Sequence, residues 1–158
     1  IYGEVLGYGC AASPLTREGL GPSARGFSAA LSAAMTDAGV RPDAVFAHGL
    51  ATPAFDAEET AGLKTALGAS AARTPVPAVK SMIGNTISAS GALEAVAALG
   101  ALDGGWLPPT INLTDRDPAC DLDYVAGASG RTMTLTSVAL NNANLGGGHA
   151  ALVIGRMA

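Results

Sequence analysis

The chain has 158 residues, a formal charge of −4 and 49% hydrophobic residues, but only 4% aromatics. That is the size of one ordinary domain able to bury a real core, which must be built from Ala, Val, Leu and Ile. Mild acidity and the lack of any Lys/Arg cluster exclude a typical nucleic-acid binder, and Cys10 and Cys120 lack metal or redox spacing. A reduced, cytoplasmic setting is the expectation.

The opening "IYGEVLGYGCAAS" has no basic start followed by an apolar run, so it does not read as a secretory signal. Because the chain begins at Ile1 rather than Met, it reads as a fragment or a cleaved half. Residues 1–13 are expected to form a strand, followed by a loop through "PLTREGLGPS". In "ARGFSAALSAAMTDAG", Phe27, Leu31, Met35 and Ala38 recur at helical spacing, and Gly39 stands where helices usually stop. "AVFAHG" is a short buried strand ended by Gly49. "TPAFDAEETAGLKTALG" reads as a turn and then a helix, with Asp56 as N-cap and Glu59 completing a capping box. "PVPAV" reads as a third strand with prolines near its edge.

"KSMIGNTISASGALE" follows. It predicts a helix opening at Asn85, apolar all round and therefore buried on every side. The apolar stretch 86–102 is interrupted by serines and Glu94, too short and polar for a membrane span of about 20 residues. "WLPPTINL" must leave this helix extended, because paired prolines cannot continue it. Two strands, "TSVALNNA" and "HAALVIGR", flank "LGGG". Strand–helix three times, then two strands, predicts a single α/β domain over 1–158 with a mostly parallel sheet.

His48 ends a buried strand, where open α/β sheets place ligands. It reads either as a proton donor or acceptor or as a histidine satisfied by backbone partners. Asn85 alone reads as an N-cap; a functional reading aims its amide N–H at a carbonyl oxygen. Glu94, inside an apolar helix, must be paired or protonated, and Lys80 is its natural partner. "NNANLGGGHA" fails as a phosphate loop, since its glycines lie between two strands. A glycine hairpin there instead lets backbone N–H groups approach a ligand. His149 is read as structural, and both cysteines as small apolar fillers.

Together these segments resemble the C-terminal half of a β-ketoacyl synthase of the thiolase fold, a βαβαβαββ layer with a buried central helix. "AHGLATPAFDAEE" is similar to the family's A-H-G-T-x-T-P-x-x-D-x-x-E. "KSMIGNTISASGALE" is similar to K-S-x-x-G-H-x-x-x-A-x-G-x-x-E. "LPPTINL" matches a P-P-T-x-N stretch, and "NNANLGGGHAALVIG" resembles N-S-F-G-F-G-G-x-N-x-x-x-V-F. The resemblance implies decarboxylative Claisen condensation of acyl and malonyl thioesters in polyketide or fatty acid biosynthesis. Acyl groups would ride on the phosphopantetheine of an acyl carrier protein, with no other cofactor and no metal.

The nucleophilic cysteine belongs to the family's other half, absent from this chain. His48 and Asn85 would then form a Cys-His-Asn set, with Asn85 in place of the family's second histidine and Lys80 and Glu94 supporting. Thr52 and Leu50 fall where family threonines hold the pantetheine arm, Leu50 replacing one of them. Ala143 replaces a gating phenylalanine, and Asn144 and Leu145 replace its neighbours. Expected partners are the N-terminal half, an acyl carrier protein and a homo- or heterodimer mate, with no nucleic acid or membrane. The alternative is a non-catalytic chain-length-factor-like partner of an active synthase. The isolated half is expected to expose the apolar face of its central helix.

Overall fold

A computed structural model describes residues 1–13, 21 and 23–157. Strand β1 (Glu4–Ala12) is followed by α1 (Ala24–Ala38), β2 (Ala44–Phe46) and α2 (Pro53–Leu67). After a 3₁₀ turn, Gly68–Arg73, come the one-turn α3 (Lys80–Ile83), a second 3₁₀ turn, Ile87–Ala89, and α4 (Ser90–Gly104). Short strands β3 (Trp106–Leu107) and β4 (Arg131–Thr132) pair with each other, and the hairpin β5 (Ser137–Ala143) and β6 (Gly148–Gly155) closes the fold. Most of the loop expected between β1 and α1 lies outside the described residues.

The main sheet runs β1-β6-β5-β2. β6 is antiparallel to both β1 and β5, while β5 is parallel to β2. Three strands therefore share one direction and β6 alone opposes them. The expected mostly parallel sheet is therefore corrected to a mixed one: two of its three ladders are antiparallel, because the β5–β6 hairpin inserts a reversed strand between β5 and β1. "PVPAV" lies beside β2 as an extended segment bonded in one direction only: Val45 and Ala47 donate their N–H groups to Pro75 and Pro77 at 3.0 and 2.9 Å. The reciprocal donors would be the proline nitrogens, which carry no hydrogen, so a full ladder cannot form.

The period-2 alternation of the strands divides the core in two. Val45, Ala47, Ala139, Ala151 and Val153 face α1 and α2 together with Leu31 and Leu63. Ala44, Phe46, Val138, Leu140 and Ile154 face α4 together with Ala98 and Leu102. Helix α1 behaves as its pattern predicts. Ser23 caps it by accepting the Gly26 N–H at 3.0 Å, and Gly39 ends it at φ 67°. Helix α2 starts earlier than expected. Thr52 is its N-cap and Pro53 occupies the first turn, where a missing N–H costs nothing. Asp56 is thus not the cap, and Glu59 is left free to reach outside its own helix.

The central helix differs most from expectation. It begins at Ser90, not Asn85, because Gly84 at φ 75° and Ile87 at φ 54° interrupt helical geometry. It buries one stripe, Ser90, Glu94, Ala98, Ala101 and Leu102. Its other side is not buried in this chain: Ile87 is 80% and Val96 66% exposed, and Met82, Ile83 and Leu93 are exposed beside them. No helix of the described residues is long and apolar enough to cross a membrane. Cys10 is exposed on β1 rather than a buried filler, and Cys120 is half-buried.

Close approach of β1 to α1 rests on glycine. A Cβ on Gly9 would stand 2.2 Å from the Ala30 carbonyl oxygen and 2.6 Å from the Ala34 nitrogen. Gly9→Ala is expected to destabilise the protein by about 1–3 kcal/mol through overpacking, read from the midpoint of chemical denaturation.

Candidate active site

Two backbone features place His48. The β2–β5 register pairs Phe46 with Leu140, so His48, two residues on, points to the α4 face alongside Asn142. Gly49 then turns the chain at φ 49°, where a Cβ would also meet the Ala78 side chain at 2.7 Å. Glu59, one turn and a half into α2, accepts the N–H groups of both His48 and Gly49, at 2.8 and 2.9 Å. Asp56 accepts the Leu50 N–H at 3.1 Å. The acids of "DAEE" therefore hold the chain after β2 rather than capping their own helix.

Lys80 follows the "PVPA" segment, which Thr110 locks in place: its hydroxyl accepts the Ala78 N–H at 2.9 Å. That contact gives "PPT" a structural purpose. The Lys80 side chain is buried and forms the ion pair with Glu94 that the sequence predicts; their side chains are 4% and 0% exposed. Its Nζ also lies 3.4 Å from His48 Nδ1 and 3.5 Å from Asn142 Oδ1. Asn142 completes the cluster. Its Nδ2 donates to the second Glu94 oxygen, and its Oδ1 is 3.0 Å from His48 Nδ1. The Ala143 N–H reaches toward the same nitrogen at 3.5 Å.

Burial sets the electrostatics. It lowers the His48 pKa to about 4, against the Asn142 hydrogen bond, and the Lys80 charge pushes it further down. Burial raises the Glu59 carboxyl to about 7, although two backbone N–H groups oppose this. Glu94 is also raised by burial, with Lys80 pulling it back. Near neutral pH the imidazole is uncharged.

Asn85 sits apart from this cluster. Its Oδ1 accepts the Ile87 N–H at 3.0 Å and the Ser90 hydroxyl at 3.2 Å, which starts the path into α4. With its oxygen tied down, its Nδ2 remains as the outward donor. Asn85, Lys80, Gly49, Leu50, Glu59 and Cys120 help line a cavity of about 590 Å³. His48 is not among its lining residues; Lys80, which lies 3.4 Å from the His48 ring nitrogen, lines the cavity with Asn85. Of the remaining candidates, Leu50 lines the cavity and Thr52 is exposed at the start of α2. Asn144 accepts the Gly148 N–H at 2.9 Å within its own turn, and Leu145 is exposed at the tip. Neither belongs to the cavity wall.

Two groups escaped the sequence reading. Asn142 was hidden in a doubled asparagine, though its place two residues past Leu140 on the His48 face was recoverable from strand alternation. Thr60 pairs with Tyr124 at 2.5 Å, a contact 64 residues apart with no local signal. His149 is buried against α1: its Nε2 is 2.7 Å from the Ser13 hydroxyl and its ring meets Phe27 edge-on at 4.6 Å. That placement agrees with a structural role.

Residues 2–114 match the family model "Beta-ketoacyl synthase, C-terminal domain". The chain belongs to this family. It is 42% identical over 152 residues to 3-oxoacyl-[acyl-carrier-protein] synthase 2 of Synechocystis sp., covering 94% of this chain and 36% of that protein. It is 40% identical over 158 residues to actinorhodin polyketide putative beta-ketoacyl synthase 1 of Streptomyces coelicolor, covering 98% of this chain and 33% of that protein. Among solved structures, the ishigamide ketosynthase/chain length factor superposes with a TM-score of 0.91 at 34% identity, covering all of this chain and 39% of that one. A beta-ketoacyl synthase from Burkholderia phymatum gives a TM-score of 0.88 at 33% identity, over 100% and 38% of the two chains. The fold is that of thiolase-type ketosynthases, and the chain spans a little over a third of the length of these relatives.

The His48 and Glu59 shifts act on stability in opposite directions. His48, depressed on folding, favours the folded state above the unfolded histidine value and loses that contribution as pH falls toward 4. Glu59, raised on folding, favours it below the unfolded carboxylate value and loses that as pH climbs through 7. Glu59→Gln removes only the second effect. The stability difference between E59Q and the parent should therefore drift in favour of E59Q by about 3 kcal/mol between pH 4.5 and 7, whatever its offset. Denaturation midpoints across that range check it; parallel curves would refute a Glu59 carboxyl raised by burial.

Proposed function

We propose that this chain is the C-terminal half of a ketosynthase that condenses acyl and malonyl thioesters by decarboxylation, and that His48 and Asn85 serve a cysteine supplied by an N-terminal half. The observation that carries the reading is the neutral, buried imidazole held by Lys80, Glu94 and Asn142 beside a cavity that Asn85 and Leu50 line. Loss of carbon dioxide from a malonyl thioester puts negative charge on the thioester oxygen as an enolate forms. A fixed amide such as Asn85 Nδ2 stabilises that oxygen without a proton of its own to lose. The enolate carbon then attacks the acyl-cysteine carbonyl and expels the thiolate, and the new tetrahedral oxygen needs a donor in turn. The Ala143 N–H requires no side chain for that task.

Acyl groups would arrive on the phosphopantetheine of an acyl carrier protein, and the complete protein would work as a homo- or heterodimer in the cytoplasm. Leu50 in place of a threonine makes the cavity wall less polar, and Ala143 removes a bulky gate. These two small or apolar positions favour a second reading, a chain-length-factor-like partner that shapes a pocket without catalysing.

Carbon dioxide release from a malonyl-loaded carrier protein separates the two. With the complete protein, Asn85→Ala should slow release by about 10²–10³, the usual cost of one donor to a developing oxyanion, and His48→Ala by about 10²–10⁴ as a proton acceptor is lost. Asn85→His should stay within about tenfold of the parent, because an N–H donor is kept. Equal release from the parent and both alanine variants would end the catalytic reading and select the partner role.

A further inference from the structure

We propose that Asn142 is a positioning residue that fixes the tautomer of His48, so that the imidazole presents a bare Nε2 as an acceptor and leaves the Ala143 N–H free for a ligand oxygen. The inference rests on the reading of His48 as a site residue and goes beyond it by assigning its proton.

The amide orientation of Asn142 is decided by its neighbour. Glu94 offers only acceptor oxygens when paired with Lys80, so the group facing it must be Nδ2. Turned the other way, Oδ1 would face a carboxylate, two acceptors without a proton between them. Oδ1 is thereby presented to His48 Nδ1 at 3.0 Å, and that contact needs the proton on Nδ1. Two donors compete for the same nitrogen as an acceptor, Lys80 Nζ at 3.4 Å and the Ala143 N–H at 3.5 Å. Both are longer by at least 0.4 Å. Lys80 has other outlets in Glu94 and Asn142 Oδ1. The Asn142 contact therefore holds the proton.

Two consequences follow for chemistry. A neutral imidazole protonated at Nδ1 cannot donate through Nε2; it can only accept a hydrogen bond or a proton there. The donor aimed at a thioester oxygen must then come from an amide, Asn85 Nδ2 or the Ala143 backbone. With the opposite tautomer, the Ala143 N–H would be spent on His48 Nδ1.

The test is spectroscopic and needs no substrate, so a protein that releases no carbon dioxide can still pass or fail it. Ring-¹⁵N-histidine is incorporated into the complete protein, and two-bond ¹H–¹⁵N correlations are recorded near pH 7, with His48 assigned by its loss in His48→Gln. The parent should show Nδ1 protonated and Nε2 bare. Asn142→Ala should move the proton to Nε2, because only Lys80 and Ala143 then face Nδ1. Asn142→Gln, which keeps a donor for Glu94 and an acceptor for His48, should hold the Nδ1–H form, and it remains informative should the alanine variant fail to fold. A parent with Nε2 protonated, a doubly protonated ring, or an alanine variant with the proton still on Nδ1 would overturn the proposal.

Discussion

One ammonium group governs the site. Lys80 sits at the end of the segment beside β2, and its charge is balanced by Glu94 on α4, with almost no water at either side chain. A buried pair of this kind is weak evidence for stability, because the cost of drying two charges offsets much of their attraction. Breaking it is different: removing one partner strands the other, at about 3–5 kcal/mol. What the pair gives is placement. It ties α4 to the sheet at the point where β2 and β5 end, and it supplies both the cation next to His48 and the carboxylate that orients Asn142. The remaining polar geometry is built outward from those two charges.

Helix α4 has to serve this arrangement on one side only. Inward it carries small residues around Glu94, letting the backbone come near the sheet so that a glutamate reaches the cluster. Outward it presents Leu93 and Val96, with Ile87, Ile83 and Met82 continuing the patch. A helix meant for water would carry charges there. Contiguous apolar surface of this sort marks a face meant to be covered. Under the function proposed above, the Cys-bearing half is the natural cover, since the nucleophile has to be brought to the same end of the sheet. Ile87, a β-branched residue at positive φ, lies in that patch two residues after Asn85, and such strain persists where the surroundings over-determine the backbone.

Much of this was legible in the sequence. Periodicity placed α1 and its glycine stop, apolar runs gave β2, β5 and β6, and the lone acid in an apolar stretch found its lysine. The misses have particular causes. The start of α4 was read from Asn85 as a cap, but Ala89 holds that position; the Asn85 side chain closes a turn onto the Ile87 N–H instead, and glycine and a left-handed isoleucine delay the helix by five residues. Asp56 looked like a cap because the proline three residues before it was read as turn rather than first turn. Glu59 looked like half of a capping box, whereas its carboxylate crosses to the chain after β2. Local pattern cannot distinguish a carboxylate that folds back on its own helix from one that reaches across to another element. Asn142 was missed because a side chain's partners depend on which strand lies next to it, and β2 and β5 are separated by some 90 residues of chain.

With Lys80 and Glu94 cancelling and His48 uncharged, the cluster holds little net charge. Under the function proposed above, the working elements would be dipoles: the Asn85 amide at the cavity wall, the Ala143 N–H and the imidazole itself. In a closed, low-dielectric setting, fixed dipoles act strongly on a charge that appears only during reaction, and they need not reorganise to do so. An amide at position 142 fits this scheme where a hydroxyl would not, because it spans the gap from α4 to β2 with a donor at one end and an acceptor at the other. It passes orientation from a carboxylate to an imidazole while passing no charge. Under the same proposal the asparagine at position 85 follows this logic, as a donor whose strength does not depend on pH.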